Sequence, residues 1–211
     1  MNVRDVLESY RQGKIDLQRA EQLLRMDFLE RVGEHTLFDH AREARRGIPE
    51  VIWGENKSPA MVAEIVSTVL KDRDAVLISR ASPEHVKALR STVDGDHVRY
   101  IERSRLIVVD RRKDRPKVGK IGVLTAGSSD IAVAEEAKAM AEVMGCEVLT
   151  EYDIGVAALH RFLDPLAKML DQGVDALVVV AGMEGALPTV VSGLADVPII
   201  GQPGDDGRQS P

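Results

Sequence analysis

Residues 121–130, Ile-Gly-Val-Leu-Thr-Ala-Gly-Ser-Ser-Asp, run from an apolar strand into a Gly-Ser-Ser-Asp turn, and a helical pattern begins at once. Free amide N–H groups and two hydroxyls at a helix N-terminus suit a phosphate or carboxylate. Gly127, Ser128, Ser129 and Asp130 are therefore candidate nucleotide-binding residues, with Thr125 just before them. The hydroxyls and amides would take phosphate oxygens, and the carboxylate ribose hydroxyls or a metal. Plain helix capping uses the same residue types, so the turn gains meaning only from its companions.

Two companions follow at βα spacing. Gly155-Val156-Ala157-Ala158-Leu159-His160-Arg161 offers His160 to bind phosphate or move a proton, and Arg161 as a fixed cation. Ala181-Gly182-Met183-Glu184-Gly185-Ala186-Leu187-Pro188 places an acid between glycines just beyond a buried strand. Gly182 and Gly185 let the backbone approach a ligand closely, and Met183 and Glu184 sit between them. Glu184 is the candidate base; an acid favoured by a helix dipole is the plainer reading. Three strand-end segments at this spacing predict one ligand site along one edge of a parallel sheet.

The elements that must hold these segments read clearly from Val118 onward. Strands at 118–124, 146–150, 175–181 and 197–201 alternate with helices at 129–144, 155–172 and 185–193, which predicts a parallel sheet with right-handed crossovers. Gly145 and Gly173 stand where helix C-caps belong. Upstream, residues 37–117 read as a small α/β module with a charged linker at 111–117. Its strands fall near 51–53, 75–79, 97–102 and 106–110, and Ser58-Pro59 opens one of its helices. Residues 1–36 read as two helices, the second capped by Asp16 and running to Leu29. Arg42, Arg45, Arg46 and Lys57 give the module a basic face. Trp53 reads as core packing, with stacking on a ring as the alternative.

Composition narrows the classes. Of 211 residues, 44% are hydrophobic and 29% charged, as in globular proteins, and the net charge of −6 argues against a general basic field for nucleic acid. The single cysteine, Cys146, excludes an intrachain disulfide and reads as a buried structural thiol. A charged N-terminus without a signal pattern fits a cytoplasmic setting, and no apolar run is long enough to span a bilayer. Residues 202–211 read as a disordered tail. The helix expected after the fourth strand is missing, so the chain reads as truncated at its C-terminus, with apolar surface exposed near Val197–Ile200.

The Gly127–Asp130 turn, the Leu159-His160-Arg161 segment and the Gly/Ala-rich Ala181–Pro188 loop resemble the PurE class of aminoimidazole ribonucleotide carboxylases and mutases. Leu124-Thr125-Ala126-Gly127, Asp153-Ile154-Gly155-Val156-Ala157, the Met183-Glu184 pair and the upstream Arg42–Gly54 segment more closely resemble the LarB family. The resemblance covers residues 36–201. It implies an α/β fold with a PurE-like, flavodoxin-like three-layer parallel sheet, a small N-terminal α/β module and N-terminal helices. It also implies carboxylation of the pyridinium ring of nicotinic acid adenine dinucleotide with hydrolysis of its phosphoanhydride, in nickel-pincer cofactor biosynthesis.

On that reading Glu184 accepts the ring proton or orients water, His160 assists, and the basic residues meet two phosphates and a carboxylate. CO2 or bicarbonate is a substrate, magnesium is a candidate ion, and no tightly bound cofactor, nucleic acid or membrane partner is expected. A PurE-like homo-octamer is the expected assembly. The family reaction also uses a cysteine from a C-terminal segment that this sequence lacks. The alternatives are a PurE-type imidazole ribonucleotide carboxylase or mutase and a non-catalytic nucleotide-binding subunit.

Overall fold

The computed structural model describes residues 3–26, 29–32, 36–39, 48–71, 73–114, 117–158, 160–182 and 184–204. Two helices, α1 (Val3–Arg11) and α2 (Leu17–Met26), precede a hairpin of β1 (Leu29–Val32) and β2 (Thr36–Asp39). The Asp16 carboxylate caps α2 by accepting the Arg19 amide at 2.7 Å. The hairpin corrects the all-helical reading of residues 1–36. Leu29 continues the helical spacing of Ala20, Leu23 and Leu24, yet Leu29, Arg31 and Val32 pair in register with Asp39, Leu37 and Thr36. Cross-strand pairing within the hairpin outweighs helical periodicity here.

The next unit is a four-stranded mixed sheet ordered β3-β4-β6-β5, from β3 (Val51–Trp53), β4 (Ala75–Ser79), β5 (Val98–Ile101) and β6 (Leu106–Asp110). Helices α3 (Pro59–Val69) and α4 (Pro83–Thr92) cover one face, burying Val62, Val66 and Leu89 against Val76, Ile78 and Ile107. Ser58 caps α3 through the Met61 amide at 3.2 Å.

The second sheet is wholly parallel and ordered β10-β9-β7-β8, from β7 (Gly119–Thr125), β8 (Cys146–Glu151), β9 (Ala176–Ala181) and β10 (Ile199–Pro203). In chain order this is 2-1-3-4, the flavodoxin-like arrangement, whose switch point lies between β7 and β9. Its two central strands, β7 and β9, turn alternate residues to two covered faces. Val123 and Val180 meet Ala134 of α5 (Ile131–Val143) on one side. Leu124, Leu177 and Val179 meet Phe162 and Leu166 of α6 (His160–Asp171) and Leu187 of α7 (Ala186–Ser192) on the other. Gly145 and Gly173 end α5 and α6 with φ of 94° and 70°, the left-handed C-cap conformation.

Helix α5 also joins the two sheets. Ala139 and Val143 pack on Leu77, Leu106 and Val108 of the first sheet. Arg112 grips Asp110 with two bonds of 3.0 and 2.8 Å and donates to the Val143 carbonyl at 2.9 Å. Arg111 reaches the Arg73 carbonyl at 2.8 Å. The start of the charged 111–117 segment is thus fastened to the protein, not a freely solvated linker.

Candidate functional site

The carboxyl ends of the parallel strands lie level: Thr125 pairs with Val180, and Pro203 with Ala181. Thr125 is fully buried, its hydroxyl accepting the Asp153 amide at 2.9 Å and its carbonyl the Ile154 amide at 3.0 Å. Its side chain fastens the loop after β8 instead of facing solvent. The Ala126 amide bonds the Val180 carbonyl at 2.9 Å. Gly155 lies so close that a Cβ there would stand 2.7 Å from the Ala126 carbonyl oxygen. Ala126, Ile154, Val156, Ala181 and Leu187 share one apolar cluster beneath the edge. The structure therefore brings the three segments together.

Ser128–Asp130 form a single 3-10 turn that leads into α5. Ser128 and Ser129 are exposed, and their amides open the turn, where no intrahelical acceptor exists. Asp130 is 2% exposed. One carboxylate oxygen, Oδ2, accepts the Gly127 amide at 2.9 Å, while Oδ1 has no partner among the described residues. A buried carboxylate oxygen without a donor is costly, and here the Gly204 backbone covers it.

Gly204 closes this corner. Its amide bonds the Ala181 carbonyl at 2.9 Å, and a Cβ on it would collide with the Asp130 carboxylate and lie 2.7 Å from the Gly182 nitrogen. Residues 202–203 extend β10 and Gly204 follows them, which corrects the tail reading for these three; residues 205–211 lie outside the described residues. No local sequence signal marks Gly204, because its contacts come from Asp130 and Gly182. Ile200 is 55% exposed on the edge strand, whereas Val197 and Ile199 pack into the apolar cluster, so the exposure expected near Val197–Ile200 centres on Ile200.

His160 and Arg161 open α6 at the same edge and are exposed. Arg161 pairs with Asp153 at 3.0 Å, and Asp153 holds a positive φ of 59°. Glu184 is exposed on the loop after β9, with no hydrogen-bond or ion-pair partner among the described residues. Gly185 adopts φ 64° to start α7, a conformation a side chain would strain, and its amide bonds the Gly182 carbonyl at 3.0 Å. Met183, Arg42, Arg45 and Arg46 lie outside the described residues.

Lys57 belongs to the first sheet's edge, where its ammonium donates to the Trp53 carbonyl at 2.8 Å. Trp53 is 51% exposed, which corrects its reading as core: β3 is a three-residue edge strand that ends on it. Cys146 is partly buried, not buried. It pairs with Gly119 at the amino ends of the strands, roughly 20 Å from the Thr125 edge at strand rise. Among the described residues no group of three His, Cys, Asp or Glu side chains is placed to hold a metal ion, and no helix is long and apolar enough to cross a membrane.

The sheet has the flavodoxin order with a Gly-Ser-Ser-Asp turn at its switch point, an architecture of the AIR carboxylase type, and residues 120–210 match the AIR carboxylase family. Residues 29–112 match the LarB/PurE-like N-terminal domain, and with both matches the chain belongs to the LarB family, a carboxylase-related group. An uncharacterized protein of Methanocaldococcus jannaschii is 36% identical over 209 residues, covering 96% of this chain and 80% of the relative.

Proposed function

We propose that the chain acts on nicotinic acid adenine dinucleotide, carboxylating its pyridinium ring and hydrolysing its phosphoanhydride to release AMP. The observation that carries this reading is the joining of three strand-end segments beside an exposed Glu184 that has no partner among the described residues. Ser128, Ser129 and the turn amides bind the phosphate of the mononucleotide half. The Asp130 oxygen takes a ribose hydroxyl once the Gly204 backbone that covers it moves aside, and Arg161 and His160 meet the ring carboxylate or the second phosphate. A thiolate from solution first adds to the pyridinium ring, the electron-rich ring carbon so formed bonds the CO2 carbon, the C–H proton there passes to Glu184, and the thiolate leaves with its electron pair as the ring regains aromaticity. In the hydrolysis a water oxygen bonds phosphorus, and the bridging oxygen leaves with AMP.

An electron-poor pyridinium attacks CO2 only after a nucleophile has added to it. Cys146 stands at the opposite strand edge and does not serve as that nucleophile. A PurE-type reaction on an aminoimidazole ribonucleotide is the second reading, favoured by the AIR carboxylase match over residues 120–210.

Mass spectrometry separates the two. The dinucleotide is incubated with the purified chain, magnesium, 13C-bicarbonate and a small thiol, and an aminoimidazole ribonucleotide in parallel. AMP together with a 13C-carboxylated mononucleotide supports the first reading. A carboxylated imidazole alone supports the second. Neither product overturns both.

A further inference from the structure

The carboxyl end of the first sheet carries a second built site that the carboxylase edge does not use. Trp53 closes β3 half-exposed, and the Arg80 guanidinium lies over its ring, 5.7 Å from the centroid. Four non-glycine residues among those described have positive φ, and three of them, Asn56 (64°), Arg80 (53°) and Arg105 (52°), belong to this edge. Such conformations persist where surrounding contacts force them, and they gather at ligand sites.

The forcing contacts are present. The Gly54 amide bonds the Ser79 carbonyl at 2.8 Å, and a Cβ on Gly54 would stand 2.9 Å from that oxygen and 3.3 Å from the Arg80 carbonyl. The buried His85 accepts the Ser82 amide through Nδ1 at 2.9 Å, so its Nε2–H donates to the Lys57 carbonyl at 2.9 Å. Lys57 in turn holds the Trp53 carbonyl. The Arg105 guanidinium donates to the Ala81 carbonyl at 3.3 Å and the Arg80 carbonyl at 3.4 Å. The turn after β3 is pinned at both ends, which a plain surface turn does not require. What the pinning fixes in place is an exposed indole with cations beside it.

The platform is also on the appropriate side of the molecule. Leu77 of β4 packs on Ala139 and Val143 near the end of α5, and Arg80, three residues on, lies close enough for its charge to act on Glu136. Strand β4 therefore runs against α5, toward the end where the Gly127–Asp130 turn lies. Glu136 is about 9 Å from that turn at helical rise.

We propose that Trp53 and Arg80 form a stacking platform for the purine end of a dinucleotide whose other end occupies the carboxylase edge. This rests on the dinucleotide reading above. A purine stacks on indole, a guanidinium stacks or pairs with phosphate, and Lys57 adds a second cation.

Trp53 is the chain's single tryptophan, so its emission reports on the site directly. AMP, nicotinic acid mononucleotide and nicotinic acid adenine dinucleotide are titrated into the full chain by fluorescence. Calorimetry follows on Trp53→Ala, Trp53→Phe and Arg80→Ala. AMP and the dinucleotide should quench the emission saturably. Trp53→Ala should weaken the dinucleotide about tenfold or more while leaving the mononucleotide unchanged, and Trp53→Phe should keep most of the affinity. Equal dinucleotide affinity in wild type and Trp53→Ala overturns the platform and leaves the dinucleotide reading standing. Absence of dinucleotide binding to wild type overturns both. Emission that changes with protein concentration and not with nucleotide makes Trp53 a contact between copies and overturns the platform.

Discussion

The Thr125 hydroxyl accepts the Asp153 amide hydrogen at 2.9 Å, tying the end of β7 to the loop that leads to His160 and Arg161. Asp153 then holds Arg161 through a 3.0 Å ion pair. Thr125→Val keeps the shape and strands the Asp153 amide. It should cost about 1–3 kcal/mol, read as a lower urea midpoint with unchanged far-ultraviolet circular dichroism. Thr125→Ser keeps the hydroxyl and should recover most of the loss.

Gly155 lies against the Ala126 carbonyl oxygen, 2.7 Å from where a Cβ would sit. That oxygen belongs to the backbone between strand and turn and cannot swing aside. Gly155→Ala should therefore destabilise by about 1–3 kcal/mol and displace both segments at once. Thermal unfolding and mononucleotide affinity, measured on the same sample, should fall together.

Glu184 separates function from stability. It is exposed and has no described partner, so Glu184→Gln should change stability by less than about 0.5 kcal/mol. As the proton acceptor its loss should slow carboxylation by about 10²–10⁴-fold. Calorimetric melting and product mass spectrometry of the one variant check both halves.

Burial raises the Glu136 carboxyl above the ordinary carboxylate range, and the Arg80 charge partly opposes it. The folded chain thus keeps this proton to higher pH than the unfolded chain. As pH rises from the unfolded to the folded value, the fold loses stability, and above that window the loss is constant. Glu136→Gln should flatten this slope and be the more stable protein on its alkaline side, as read by urea denaturation at a series of pH values.

The parallel sheet was legible because β7 and β9 are apolar and two helices end in glycines at positive φ, Gly145 and Gly173. The three edge segments were legible for the same local reason, since each sits where a strand must end. What escaped depends on pairing and packing that periodicity does not encode. Leu29 kept helical spacing and still paired with Asp39. Trp53 looked like core because indoles usually are, yet the short β3 leaves it at an edge. Gly204 looked like tail because its place is set by contacts with Ala181, Gly182 and Asp130.

We propose that the carboxyl edge of the parallel sheet binds a phosphorylated nucleotide through the Ser128–Asp130 turn. Isothermal titration of nicotinic acid mononucleotide into wild type and Asp130→Asn tests it most directly. Asparagine can still accept the Gly127 amide, so the turn survives while the charge is lost. Wild type should bind saturably and the variant with an affinity about tenfold or more lower, the scale of one charged hydrogen bond. Equal affinities, or no heat of binding to the wild type, would contradict it.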